Sequence, residues 1–374
     1  MTSTTDRIEL LKQHGQSRLA KYLETCPPDV AERLGAQIDE LDLSELQIVA
    51  DSHGEAARDL DSIEPPPAFR LGDENSPIDP ANALAAGEAL LKDGKVAAIL
   101  VAGGQGTRLG FDHPKGMFPL GPVSGQTLFQ IHFEKLIARG RRYGKTIPLY
   151  LMTSPATHAE TVEFLQENNR FGLEERDLRI FCQGTMPAID DTDKQLLLAE
   201  PDSLALSPDG HGGMLRALVK TGCLAEMQKR GIEEIYYFQV DNPLAEVCEP
   251  ELLGFHRLSQ SEMSTQVVAK QQPEEKLGIL ALVDGQLGLV EYSELPDELA
   301  QQRDDDGNLK HWAGNIAVHA ISVEFLAKVA KQADSLPWHQ AHKKVPHLDE
   351  QGNLVEPEEP NAIKFVRFIF DLLP

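Results

Sequence analysis

The segment from Val96 to Leu120, VAAILVAGGQGTRLGFDHPKGMFPL, constrains this chain more than any other, because an unbroken apolar run passes directly into a glycine-rich loop. A short strand that is apolar at every position, rather than at alternate ones, is covered on both faces, which is the situation of a parallel strand in an α/β sheet. The loop at the carboxyl end of such a strand is where ligands bind in open α/β sheets. Gly103, Gly104 and Gly106 let the backbone approach a ligand and turn N–H donors toward phosphate oxygens, and Arg108 adds a forked cation. Lys115, between Pro114 and Gly116, sits on stiffened backbone, as a phosphate clamp requires. The loop is therefore expected to hold a polyphosphate. It is not a Walker loop, since no Gly-Lys-Ser/Thr triplet follows, nor a dinucleotide fingerprint, since Leu109 stands where a third glycine is needed.

Strand-like and helix-like runs alternate beyond this point. Strands are predicted at Val96–Val101, Pro148–Thr153, Leu178–Cys182 and Glu234–Val240, with helices over 127–138, 157–166 and 213–229. This alternation is the α/β signature. The runs 265–269, 278–283 and 286–292 follow closely and read as an antiparallel meander inserted after the parallel strands. Before the sheet, apolar positions at helical spacing (Ile8, Leu11, Leu19, Tyr22, Leu23) predict a helical N-terminal region, and Glu64–Pro67 with Gly72 and Pro77 has linker chemistry. Two domains are expected: a helical region with its linker over 1–79, and a nucleotide-binding catalytic domain over 80–374.

Composition restricts the partners. The formal charge of −24 argues against a nucleic-acid partner, which is bound through an excess of Lys and Arg, but a single triphosphate needs only a few placed cations. No apolar run approaches a membrane span and the N-terminus has no apolar signal core, so the expected location is cytoplasmic. The cysteines Cys26, Cys182, Cys223 and Cys248 lack the spacing of a zinc or redox site and are expected to be reduced.

Other positions fit a nucleotide site. Asp241 ends the apolar strand IYYFQV, so its carboxylate is expected at the same sheet edge as the glycine-rich loop, a natural position for Mg²⁺. Starting a turn is the alternative role for Asp-Asn-Pro. Gln183, whose amide both donates and accepts, can pair with a base edge, and Gly210 can expose backbone to the same base. Asn315 and Glu291 can take sugar hydroxyls. Turn and cap roles explain these four residues as well when each is taken alone.

Taken in order, AGGQGTRLG at 102–110, PKGMF at 114–118, PDGHGGM at 208–214, QVDNP at 239–243, EYSE at 291–294 and LPWHQAHKKVPHLD at 336–349 resemble the eukaryotic-type UDP-sugar pyrophosphorylases. Within them the chain is more similar to the UDP-N-acetylhexosamine pyrophosphorylases than to the UDP-glucose enzymes. The resemblance runs from about Pro80 to the end. It implies a Rossmann-like nucleotidyltransferase fold, glycosyltransferase-A-like, with a mixed sheet, and a uridylyltransferase reaction of UTP with a sugar 1-phosphate.

By that resemblance Gly103, Gly104 and Gly106 hold the nucleotide, Arg108 meets the UTP phosphates and Lys115 the reacting ones. Gln183 and Gly210 read uracil, Asp241 binds magnesium, and Glu291 and Asn315 contact the sugar. Lys364, in NAIKFVRFIFD, matches a family lysine that approaches the phosphate from the far side of the cleft. His211 stands where related enzymes often carry Asn, and takes the same sugar-facing position. Family members continue beyond the segment matching Ile363–Asp371, so a further C-terminal domain is expected to be absent. A UDP-glucose or broad UDP-sugar enzyme and a non-catalytic nucleotide-sugar-binding protein are the alternatives, and a nicotinamide dehydrogenase is disfavoured by Leu109.

Overall fold

Val96–Val101 is a strand whose first five residues are all buried, as its apolar run requires, and a mixed sheet grows outward from it. The computed structural model describes residues 3–51, 60, 62–73, 76–331, 337–349 and 351–372. They fall into two units, one of residues 1–58, 184–213 and 336–368, the other of residues 59–183, 214–335 and 369–374.

The larger unit carries the sheet. Its strands are β1 (Ile63–Glu64), β2 (Val96–Val101), β3 (Leu149–Thr153), β4 (Leu178–Cys182), β5 (Glu234–Gln239), β6 (Met263–Ala269), β7 (Ile279–Val283), β8 (Gln286–Val290) and β9 (Ala313–Ser322). The spatial order is β1-β7-β9-β5-β2-β3-β4, with β6 also on β9 and β8 on β7. The four strands β5-β2-β3-β4 are mutually parallel, and β9 lies antiparallel to β5. The chain moves one way from β2 through β3 to β4 and returns to the other side of β2 with β5. That reversal makes the crevice beyond the carboxyl ends of β2 and β5 the topological switch point, where ligands bind in such sheets.

The second half of the sheet is antiparallel, as expected, but is not a simple meander. β7 and β8 form a hairpin closed by Asp284-Gly285, both at positive φ, whereas β6 pairs along β9 instead of beside β7. Glu64, read as linker, forms an edge pair with Leu282. The predicted helix over 213–229 is two helices, Met214–Lys220 and Cys223–Lys229, separated at Gly222, which takes φ 74°. One core of this unit gathers Leu100, Phe129, Phe133, Leu151, Tyr236 and Phe238, so Leu128–Tyr143, the helix carrying the two phenylalanines, packs directly on the parallel strands.

The smaller unit joins four N-terminal helices, Thr4–Gln13, Ser17–Thr25, Pro28–Asp39 and Leu43–Asp51, to two later stretches of chain. Leu11, Leu34 and Ile38 share one core with Ile189, Leu196, Ile363 and Phe365. The strand Ala362–Val366 is its centre, flanked antiparallel by His339–Lys343 on one side and Ile189–Asp190 on the other. The helices read from the sequence as a region of their own therefore share their core with residues far along the chain. No helix among the described residues is long and apolar enough to cross a membrane.

Candidate active site

The glycine-rich loop leaves β2 and folds back on itself. Gly106 N–H donates to the His113 carbonyl at 2.9 Å and Lys115 N–H to the Gly104 carbonyl at 3.0 Å, with Gln105 bridged to Pro114. The two motifs AGGQGTRLG and PKGMF are thus two sides of one loop. Arg108 lies in a single 3₁₀ turn, Thr107–Leu109, closed by Gly110 at φ 66°; its side chain is exposed and has no hydrogen bond or ion pair among the described residues. Gly103 is approached closely, since a Cβ there would lie 3.0 Å from Oε1 of Gln183. Gln183 follows β4 and is 9 % exposed, its N–H donating to the Thr153 carbonyl at 2.9 Å. Ser154 Oγ donates to the Gly103 carbonyl at 2.7 Å and ties the loop to the residue that precedes helix Pro155–Glu167.

Lys115 reaches across the switch point. Its Nζ lies 2.8 Å from Oδ2 of Asp241, with 26 % of the lysine side chain and 47 % of the aspartate side chain exposed. The carboxylate two residues beyond β5 and the cation of the β2 loop therefore meet at one sheet edge. Among the described residues no group of three or more His, Cys, Asp and Glu gathers as a metal site. A divalent ion at Asp241 would take most of its ligands from water and phosphate, which is how Mg²⁺ typically binds.

The segment after β5 is held by three side chains that sequence reasoning missed. His132 Nε2 lies 2.9 Å from the Val240 carbonyl. Lys135 Nζ donates to the carbonyls of Pro243 at 2.5 Å and Ala245 at 3.1 Å, and Arg139 Nε donates to Val247 at 3.0 Å. These positions recur at i, i+3 and i+7 on helix Leu128–Tyr143 and so share one face. That spacing was the available signal, but the carbonyls it serves are remote in sequence. Burial holds His132 well below its ordinary value, at about 4, so the ring is neutral; donating from Nε2 to a carbonyl fixes its tautomer.

Glu291 and Asn315 converge on Gly278. Asn315 N–H donates to the Gly278 carbonyl at 2.8 Å, and a Cβ on Gly278 would lie 3.5 Å from Oε2 of Glu291. Asn315 Oδ1 accepts from Ala317 N–H at 2.9 Å, and Ala317 takes φ 52°, a left-handed kink within β9. Burial, and then the neighbouring Glu294, push the Glu291 carboxyl above its ordinary range.

Gly210, His211 and Lys364 belong to the smaller unit. Gly210 takes φ 84°, and a Cβ there would stand 2.4 Å from the Arg367 carbonyl oxygen. Arg367 N–H donates to the Asp209 carbonyl at 2.8 Å and Gly212 N–H donates back to Arg367 at 2.9 Å. The backbone of His211 begins the turn His211–Gly213; its side chain lies outside the described residues. Lys364 is half-buried on the central strand, opposite Ala341. Burial, and then Lys343, lower its ammonium from the usual lysine value.

Residues 45–369 match the family described as UTP–glucose-1-phosphate uridylyltransferase. The chain is 41% identical, over 75% of its length and 60% of the other, to the UDP-N-acetylglucosamine pyrophosphorylase of Saccharomyces cerevisiae. It is 36% identical, over 99% of its length and 76% of the other, to the UDP-N-acetylhexosamine pyrophosphorylase-like protein 1 of Xenopus tropicalis. The crystal structure of a putative UDP-N-acetylglucosamine pyrophosphorylase from Entamoeba histolytica superposes with a TM-score of 0.73 at 35% identity, covering 84% of this chain and 78% of that one. A Rossmann-like mixed sheet, a glycine-rich loop whose Lys115 meets Asp241 across the switch point, and a family match that spans most of the sequence agree, and the chain belongs to the UTP–glucose-1-phosphate uridylyltransferase family.

Proposed function

We propose that this protein joins UTP to N-acetylglucosamine 1-phosphate, releasing pyrophosphate and a UDP-sugar. The observation that carries the reading is the 2.8 Å pair of Lys115 and Asp241 at the β2–β5 switch point, a cation and a carboxylate at the sheet edge where ligands bind in such folds. The attacking oxygen belongs to a sugar phosphate that is already anionic near neutral pH, so no general base is required. That oxygen forms a bond to the α-phosphorus of UTP in line with the departing bridge oxygen, whose bond breaks and whose electron pair leaves with pyrophosphate.

Catalysis is then positioning and charge neutralisation. Arg108, exposed and without an ion-pair partner among the described residues, is assigned to the phosphates of UTP, and Lys115 to the reacting phosphate. The backbone at Gly103, Gly104 and Gly106 and the amide of Gln183 are assigned to the nucleotide, and Glu291 and Asn315 to the sugar. Gly210 and Lys364 are assigned to the base and the phosphates respectively. Magnesium, held by Asp241, would offset phosphate charge when bound. None of the four cysteines is in a disulfide among the described residues, which fits a reducing compartment, and we place the enzyme in the cytoplasm.

The test is release of pyrophosphate from UTP and magnesium with a panel of sugar 1-phosphates. Release is expected with N-acetylglucosamine 1-phosphate, lost in Asp241→Ala and lowered by about two to three powers of ten in Lys115→Ala, the cost of removing one transition-state donor. Retained UTP binding with no release from any sugar would refute the catalytic reading.

A further inference from the structure

Lys364 does not stand alone on its strand. In the antiparallel pair of His339–Lys343 with Ala362–Val366, Ala341 is opposite Lys364 and Lys343 is opposite Ala362. Residues directly opposite share a face, and so do residues two apart on one strand, so Lys343 and Lys364 project from the same face as diagonal neighbours. Only the methyl group of Ala362 stands opposite Lys343, and it is fully buried. Lys343 itself is exposed.

Neither charge is paired locally. Among the described residues neither ammonium has an ion-pair or hydrogen-bond partner, whereas the next lysine, Lys344, donates to the Glu358 carbonyl. On the far side of the central strand Asp190 is opposite Ala362 and shares this face. Its Oδ1 is committed to the turn that follows, accepting from Thr192 N–H at 2.9 Å and Asp193 N–H at 3.1 Å. Exposed Lys343 and half-buried Lys364 carry like charges on one face, and burial, then Lys343, lowers the ammonium of Lys364. An anion that touches both relieves this repulsion.

We propose that Lys343 is a second phosphate-binding residue, forming with Lys364 a two-cation clamp for a diphosphate, the part of UTP that leaves as pyrophosphate. Diagonal neighbours on a strand pair stand about 7–8 Å apart at the backbone, so two flexible lysine side chains can converge on one anion that carries oxygens on two linked phosphates. The inference rests on the reading of Lys364 as phosphate-facing.

The experiment is calorimetric binding of inorganic pyrophosphate to the full chain, for the wild type, Lys343→Ala, Lys343→Arg, Lys364→Ala and Lys344→Ala. Lys343→Ala is expected to weaken binding about tenfold, as loss of one charge-assisted contact does. Lys343→Arg keeps most of the affinity, and Lys344→Ala, which removes the same charge from the adjacent residue, changes little. Because Lys343 is exposed, the thermal midpoint should not move. Unchanged binding in Lys343→Ala with loss in Lys364→Ala overturns the clamp while leaving the role of Lys364 intact. An equal loss in Lys344→Ala overturns it in favour of a general charge effect, and no pyrophosphate binding by the wild type overturns it outright. No loss in Lys364→Ala overturns the clamp together with the phosphate-facing reading of Lys364 on which it rests, whereas loss in Lys364→Ala alone overturns only the clamp.

Discussion

Gly116 governs how Lys115 is held. A Cβ at this position would lie 2.2 Å from Cζ of Phe129, and Phe129 is fully buried beneath the parallel strands. The ring cannot move aside without opening the core, because interiors of this density have no spare volume. Gly116→Ala is therefore expected to lose about 1–3 kcal/mol of stability and, by displacing the loop, to separate Lys115 from Asp241. Thermal unfolding together with the KM for UTP checks this; a variant with unchanged midpoint and KM would show that the loop yields without cost. Part of this was legible in the sequence, since a cation flanked by Pro114 and Gly116 reads as fixed. The reason for the glycine was not, because the ring that forbids a side chain belongs to a helix on the other side of the loop.

The helix Leu128–Tyr143 shows the same at the scale of an element. Its apolar residues, Phe129, Phe133 and Leu136, enter the core, while His132, Lys135 and Arg139 hold the chain after β5 by its carbonyls. The apolar face is what periodicity detects, and the helix was legible for that reason. A carbonyl has no sequence signature, so its partners were not. The antiparallel half of the sheet was legible as strands but not as a pairing, because β6 beside β9 is a long-range choice that local alternation does not encode.

The buried imidazole also gives this element a pH dependence. An unfolded histidine titrates near its ordinary 6.5, whereas His132 in the fold titrates at about 4. Between these values the unfolded chain binds a proton that the fold does not, so stability falls as pH falls through this window. By pH 5 the loss from this one group is about 2 kcal/mol. Denaturant unfolding at pH 7 and pH 5 measures it. His132→Gln, which keeps an N–H donor for the Val240 carbonyl but cannot titrate, is expected to lose about 2 kcal/mol less than the wild type on acidification. Equal losses in the two proteins would mean that the ring charges within the fold.

At the scale of the molecule, the sequence reads as two domains, a helical region with its linker over 1–79 and a catalytic domain over 80–374. The smaller unit argues for a different outcome. Gln16 Oε1 accepts from Leu196 N–H at 2.7 Å, Gln37 Oε1 from Leu204 N–H at 3.0 Å, and Glu45 Oε1 from both Trp338 Nε1 at 2.9 Å and Arg367 at 2.7 Å. The guanidinium carbon of Arg367 lies 3.9 Å from the centre of the Trp338 ring, and its backbone is the support of Gly210. Removing residues 1–51 would strip these partners and expose Ile189, Leu196, Ile363 and Phe365, each of which is now at most 2 % exposed. Each such side chain returned to water costs about 1.5–3 kcal/mol, so the loss of all four, about 6–12 kcal/mol, is comparable to the whole stability of an ordinary fold. Because Lys364 and Gly210 are mounted on this same unit, the shortened chain is expected to lose UTP binding as well as cooperative unfolding of that unit. Thermal unfolding followed by circular dichroism, with dye binding to report exposed apolar surface, decides the matter. If the shortened chain melts cooperatively at the wild-type temperature and still binds UTP, the N-terminal helices are an appendage and the shared core contributes nothing to holding those residues.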